Sequence, residues 1–156
     1  MGVPMTIRSA VPALGLVLGL AMAFAAAPAS AAGGIKGFWR TGDGRSVIEI
    51  TDCNTGICGR IAALPPDAPA VDGENPDESK RSRPLCKLIM LHSFTQVSDT
   101  EWEDGTIYDP KSGKTYDAKM HLTGPDTLDL RGFVGISLLG RTDTWTRVQP
   151  GGFKAC

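Results

Sequence analysis

The side chains best suited to chemistry are four cysteines, Cys53, Cys58, Cys86 and Cys156, and two histidines, His92 and His121. Cys53 and Cys58 frame the stretch DCNTGICGR, a spacing open to a metal site, a redox dithiol or a disulfide. Zinc fits poorly: Cys86 and Cys156 make no second close pair, and neither histidine stands at ligand spacing from another donor. A redox dithiol is more often C-x-x-C at the opening of a helix, and nothing around Cys58 reads as helix. An even cysteine count points instead to disulfides. Asn54-Thr55-Gly56-Ile57 is a turn between Cys53 and Cys58, so those two are expected to pair locally. Cys86 and Cys156 are then expected to pair with each other, with Gly151-Gly152 letting the tail reach back. No motif asks for a metal or a cofactor.

Catalytic patterns are lacking: the chain holds no G-x-S-x-G, S-x-x-K or H-E-x-x-H. His92 sits in an apolar run and reads as a satisfied imidazole, while His121, Glu101 and Glu103 read as surface groups. No catalytic residue is assigned, and an enzyme ranks behind a ligand carrier and an envelope interaction module.

The compartment follows from the N-terminus. Arg8 is the single charged residue before Lys36, and it precedes an Ala- and Leu-rich run ending in Pro28-Ala29-Ser30-Ala31. That is the layout of a secretory signal peptide over residues 1–31, cleaved near Ala31. The run is short of the roughly 20 strongly apolar residues of a membrane span. The product is therefore expected to be periplasmic or secreted, where disulfides persist. Without Arg8 the net charge is near −2, with no run of like charges, so neither nucleic acid nor an anionic membrane is an implied partner. Residues 32–156 suit one domain.

The elements that must position these residues are strands. Lys36–Thr41 is short and ends at Gly42-Asp43-Gly44. In the next hairpin, Cys53 opposite Cys58 places Ile50 opposite Ile61 and sorts Glu49, Thr51 and Arg60 to a polar face. Cys86–Phe94 carries apolar residues on both faces and reads as a buried strand. Trp102–Tyr108 and Thr115–Leu122 flank the turn DPKSG, TLDLRGF alternates, and Leu139–Val148 closes the series. No window holds a helical stripe. About eight strands joined by short turns predict an all-β, antiparallel up-and-down barrel or a tight sandwich. The exception is 65–84, PPDAPAVDGENPDESKRSRP, a long polar loop that reads as mobile surface, with a lid over the barrel mouth as the alternative.

Several motifs coincide in one pattern: GFW (Gly37 to Trp39), SVIEI, CGRI (Cys58 to Ile61), RPLC (Arg83 to Cys86), GTIYDPKSGKTY (Gly105 to Tyr116), LRGFVG (Leu130 to Gly135) and LLGRTDTWTRV (Leu138 to Val148). Together they closely resemble the bacterial exported family DUF2147, a domain of unknown function. The resemblance implies a lipocalin-like barrel. It also implies that Trp39 and Arg147 close one end, a guanidinium covering an indole, as a structural device and not a ligand contact.

An eight-stranded barrel can hold one small ligand. A register with Trp102, Thr106 and Tyr108 on one face also puts Tyr116, Ala118 and Met120 there. Trp102, Tyr108, Tyr116 and Met120 are thus the candidate contacts for a small, partly apolar ligand; the alternative is that they fill a tight core. On the last strand Arg141, Asp143, Trp145 and Arg147 share one face and the threonines share the other. We expect the charged face outward; turned inward, Arg141 and Asp143 with Arg131 would make a polar interior.

Overall fold

The computed structural model describes residues 1–2 and 34–156. The expected signal peptide, residues 1–31 with cleavage near Ala31, lies outside the described residues apart from Met1 and Gly2. Eight strands follow in order: β1 (Gly37–Arg40), β2 (Val47–Cys53), β3 (Gly56–Ala63), β4 (Ile89–Gln96), β5 (Glu101–Asp109), β6 (Lys114–Gly124), β7 (Thr127–Phe133) and β8 (Arg141–Val148). Each pairs antiparallel with the next, and β8 returns to β1, so the sheet is a closed up-and-down barrel without free edges. The helical content among the described residues is two 3₁₀ turns, Glu78–Lys80 and Ser137–Leu139.

Alternation explains the inner wall. Ile48 and Ile50 of β2, Ile61 of β3, Leu128 and Leu130 of β7 and Trp145 of β8 are all buried. Glu49 and Arg60 stand on the outer face and form an ion pair of 2.7 Å. Glycines on the inner wall make room for large neighbours: a Cβ at Gly59 would collide with Leu91, and one at Gly105 with the Phe94 ring.

The first hairpin sorts its faces as expected, in a different register. Cys53 lies opposite Gly56, Thr51 opposite Cys58 and Glu49 directly opposite Arg60. The loop is therefore Asn54-Thr55 alone, and Gly56 takes the positive φ of 118° that this tight turn needs. A shift of two residues keeps every side chain on its face, so the polar outer side survives the error. The Cys53–Cys58 disulfide forms on the diagonal, with Cα atoms 5.8 Å apart. Cys86 and Cys156 form the second, also at 5.8 Å.

The β4 strand corrects a second expectation. It begins at Ile89, after a turn that carries Cys86 and in which Lys87 has φ 65°. It is buried on one face only: Leu91 and Phe94 point inward, while Ile89 and His92 are exposed. Leu91 and Phe94 are three residues apart on the same face because Ser93, at φ 62°, bulges the strand. The apolar composition of this segment therefore gave no guide to its faces, and His92 faces solvent.

Strand direction divides the barrel into two ends. The tight turns at 54–55 and 125–126 lie at one end, with the 97–100 connection. The connections 41–46, 64–88, 110–113 and 134–140 lie at the other. The first end is filled by Trp39, Phe94, Trp102, Met120 and Leu128, each no more than 2% exposed. Trp39 donates from Nε1 to the Ile35 carbonyl at 2.8 Å, and the Arg147 guanidinium lies 4.2 Å from its ring centroid. Trp39 and Arg147 are register partners across β1 and β8. Arg147 also donates to the carbonyls of Gly34, Lys36 and Pro125, tying the chain before β1 to the β6–β7 turn. Burial pulls the Arg147 pKa below its ordinary value, against the opposing charge of Asp126.

Candidate functional site

The other end of the barrel is open. A cavity of about 1030 Å³ enters between the four connections at this end. Its walls are apolar: Ile48, Ile61, Ile107, Leu130 and Trp145 come from inward positions of their strands, and Met90 from the point where the β3–β4 register shifts. Its rim is charged, carrying Asp43, Arg45, Asp67, Lys111, Arg141 and Asp143.

The β8 face resolves opposite to the expectation. Trp145 is 1% exposed and lines the cavity, so Arg141, Asp143, Trp145 and Arg147 form the inner face and the threonines the outer one. The indole is what turns this face inward: burying it outweighs placing two charges at an open, solvated mouth. Asp143 accepts from Trp145 Nε1 at 2.6 Å and from the Gly42 amide at 3.3 Å. Arg131 does not join this interior. It stands on the outer face, donating to Ser137 and Leu138 carbonyls and to Thr142 Oγ1.

Of the four expected ligand contacts, the structure places Tyr116 in the cavity wall. Trp102 and Met120 face inward as expected, but they are register partners in the filled end, away from the mouth. Tyr108 is on the outside of the barrel. Asp104, at φ 57°, bulges β5 between Trp102 and Gly105 and reverses the alternation beyond it. Ile107 therefore pairs inward with Tyr116, while Tyr108 pairs outward with Thr115.

On the outside, Tyr108 meets the long loop. Its hydroxyl donates to Asp72 Oδ1 at 2.6 Å, Asn75 Nδ2 donates to Asp72 Oδ2 at 2.7 Å, and Arg83 Nε donates to the same oxygen at 2.8 Å. The Asp72 carboxylate is fully buried, and both of its oxygens accept hydrogen bonds. Backbone bonds from Asp72 to Arg83 and from Leu85 to Ala70 zip the two ends of the loop together. Gly113 of the β5–β6 turn packs so closely on the Glu74 carbonyl that no Cβ would fit, and its φ of 68° is itself a glycine conformation. The 65–84 segment is thus a pinned strap and not a loose surface loop, and its Pro65, Asp67, Ala68 and Pro69 form one wall of the cavity. Its polar composition hid this, because the anchors are hydrogen bonds to one tyrosine distant in sequence.

Burial raises the Asp72 carboxyl, but the bonds from Tyr108, Asn75 and Arg83, with the Arg83 charge, outweigh it and leave the pKa below the ordinary 3.8. A depressed carboxyl contributes stability above its unfolded pKa and loses it as pH falls through the folded one. The strap should therefore hold at neutral pH and loosen below about pH 3.8. Tyr108→Phe removes one donor to this carboxylate and should cost about 1–3 kcal/mol. It should also raise the midpoint of acid unfolding, read by tryptophan fluorescence against pH. Equal acid midpoints for variant and wild type would show that this cluster does not govern the acid limit.

The rim carboxylates are already engaged. Asp43 accepts from the Arg45 amide and the Thr41 hydroxyl, and these bonds hold its pKa low. Asp67 is held low by its bond from Arg45. Such groups are fixed anions, poorly matched to proton transfer near neutrality. Arg141 makes no ion pair or side-chain hydrogen bond among the described residues. No group of three His, Cys, Asp or Glu among the described residues is arranged to hold a metal.

A closed eight-stranded antiparallel barrel, filled at one end and open to an apolar cavity at the other, is a lipocalin-like fold. A structure that shares this fold is protein HP1028 from the human pathogen Helicobacter pylori, described as belonging to the lipocalin family. It superposes with a TM-score of 0.67 at 20% identity, covering 74% of this chain and 84% of that one. The model of the family DUF2147, uncharacterized proteins conserved in bacteria, matches residues 37–147. The chain belongs to that family. No curated relative matches the sequence.

Proposed function

We propose that this is an exported carrier or sensor of a small, largely apolar molecule, held in the open half of the barrel. The observation that carries the reading is the cavity of about 1030 Å³, whose walls are aliphatic and aromatic and whose rim is polar. Export is supported by the two disulfides, which persist in an oxidising compartment, and by the Arg8-to-Ala31 leader pattern. In this reading Ile107, Leu130 and Trp145 contact the apolar body, and Tyr116 and Arg141 contact a polar group at the mouth. Trp102 and Met120 act behind them as the floor's support, and Tyr108 acts through the strap.

Gly132 offers a direct test. It lines the cavity, and a Cβ there would meet Ile107 and Tyr116 at 3.5 and 3.9 Å, ordinary contact distances. The Cβ of Gly132→Leu therefore fits, and its isobutyl group should project into the cavity. An apolar fluorescent dye should bind the wild type and bind the variant about tenfold or more weakly, a difference of about 1.4 kcal/mol. The melting temperature should stay within a few degrees. Equal dye affinity in a folded variant would place the dye elsewhere and remove the basis for the carrier reading.

A further inference from the structure

The β7–β8 connection, FVGISLLG, is unlike the rest of the surface. Val134, Ile136, Leu138 and Leu139 are 74, 59, 80 and 78% exposed, four large aliphatic side chains within six residues. Single exposed hydrophobes need no explanation, but a contiguous group at the tip of a shaped loop does. The shape is maintained from below. Arg131 donates from Nε to the Ser137 carbonyl at 2.7 Å and from Nη2 to the Leu138 carbonyl at 3.1 Å. Backbone bonds from Ile136 to Val134, Leu139 to Ile136 and Gly140 to Ser137 satisfy further polar groups within the loop itself. Gly140 packs so tightly on Gly132 and Phe133 that a Cβ would not fit there.

We propose that this loop docks the open mouth of the barrel onto a phospholipid bilayer with anionic headgroups, a partner that the charge pattern of the sequence did not imply and the exposed loop does. Three features select a bilayer over other occupants. The tip is aliphatic and carries no charge between Phe133 and Gly140, which suits shallow entry at the boundary of headgroups and acyl chains, where water still reaches the backbone. Arg131 and Arg141 flank the loop in sequence, and neither has a carboxylate partner among the described residues, so two uncompensated positive charges lie beside the tip for lipid phosphates. A stable protein interface needs about 800 Å² per partner with a polar, hydrogen-bonding rim, more than one short loop supplies. Val134 and Leu139 line the cavity as well as the exposed tip, so the apolar surface runs unbroken from the tip into the barrel. On the carrier reading proposed above, the ligand would then pass between bilayer and barrel without crossing water.

The test is co-sedimentation of the mature protein with vesicles of phosphatidylethanolamine and phosphatidylglycerol, beside vesicles of phosphatidylcholine alone. Wild type should sediment with the anionic vesicles, less with the neutral ones, and less again at high salt. The variant Ile136→Asp/Leu138→Asp should lose about tenfold or more in vesicle affinity. Neither residue lines the cavity, so dye binding and melting temperature should be unchanged in this variant. Ile136→Leu/Leu138→Ile should restore vesicle binding. A folded wild type that ignores both vesicle types overturns the proposal, as does an aspartate variant that binds like wild type. Concentration-dependent self-association abolished by the aspartates would also overturn it, by showing a second copy over the loop. Dye binding without vesicle binding would leave the carrier reading standing, and the reverse would leave docking standing without it.

Discussion

Trp39→Ala should lower stability by about 3–5 kcal/mol, the cost of deleting a large aromatic from a packed core. The indole is fully buried, its Nε1 hydrogen is committed to Ile35, and Arg147 covers its face. Removing the ring opens a void at the filled end and strips the guanidinium of the surface on which it lies. Arg147 in turn holds Gly34, Lys36 and Pro125 by their carbonyls, so the loss spreads to the chain before β1 and to the β6–β7 turn. A fall in melting temperature on the order of 10 °C or more is expected in thermal unfolding followed by near-ultraviolet circular dichroism. Arg147→Lys should show part of the same loss, since an ammonium keeps the charge but not the planar fork that reaches three carbonyls. A Trp39→Ala protein that melts with the wild type would show that the barrel is held from its other end.

The second large effect belongs to the disulfides, and it should scale with the loop each one closes. Cys86–Cys156 spans 70 residues and Cys53–Cys58 spans 5. The chain-entropy relation gives about 4 kcal/mol for the first and about 2 kcal/mol for the second, before any change in native contacts. Replacing Cys86 and Cys156 with alanine should therefore destabilise more than replacing Cys53 and Cys58, in denaturant titrations of the oxidised proteins. The tail has other anchors that would survive: the Cys156 amide donates to the Ala62 carbonyl, and the Phe153 ring lies 5.1 Å from that of Phe38. Equal losses for the two pairs would mean that local packing, and not chain entropy, sets the value of these bonds.

Much of this molecule is determined by short-range pattern. The turns at Gly42-Asp43-Gly44, DPKSG and Gly124-Pro125-Asp126 punctuate the chain, and period-two alternation in TLDLRGF and around Glu49 and Arg60 is enough to count strands and sort faces. Cysteine number and turn chemistry suffice for both disulfide pairings, because one pair is local and leaves only one partner for the rest. The family motifs extend this to the Trp39–Arg147 cap. The tertiary structure decided what alternation cannot carry across a bulge. One residue in the left-handed region, Asp104, moved Tyr108 from the expected inner wall to the outside, and Ser93 did the same kind of thing to β4. It decided the inner face of β8, where burying Trp145 overrode the charges beside it. It decided that 65–84 is a strap, through one buried carboxylate whose donors lie up to 36 residues away. Above all it decided which end of the barrel is open: inward side chains at both ends read alike in sequence, and only the closed sheet shows that Phe94, Trp102 and Met120 meet across one end while the other is left with a cavity.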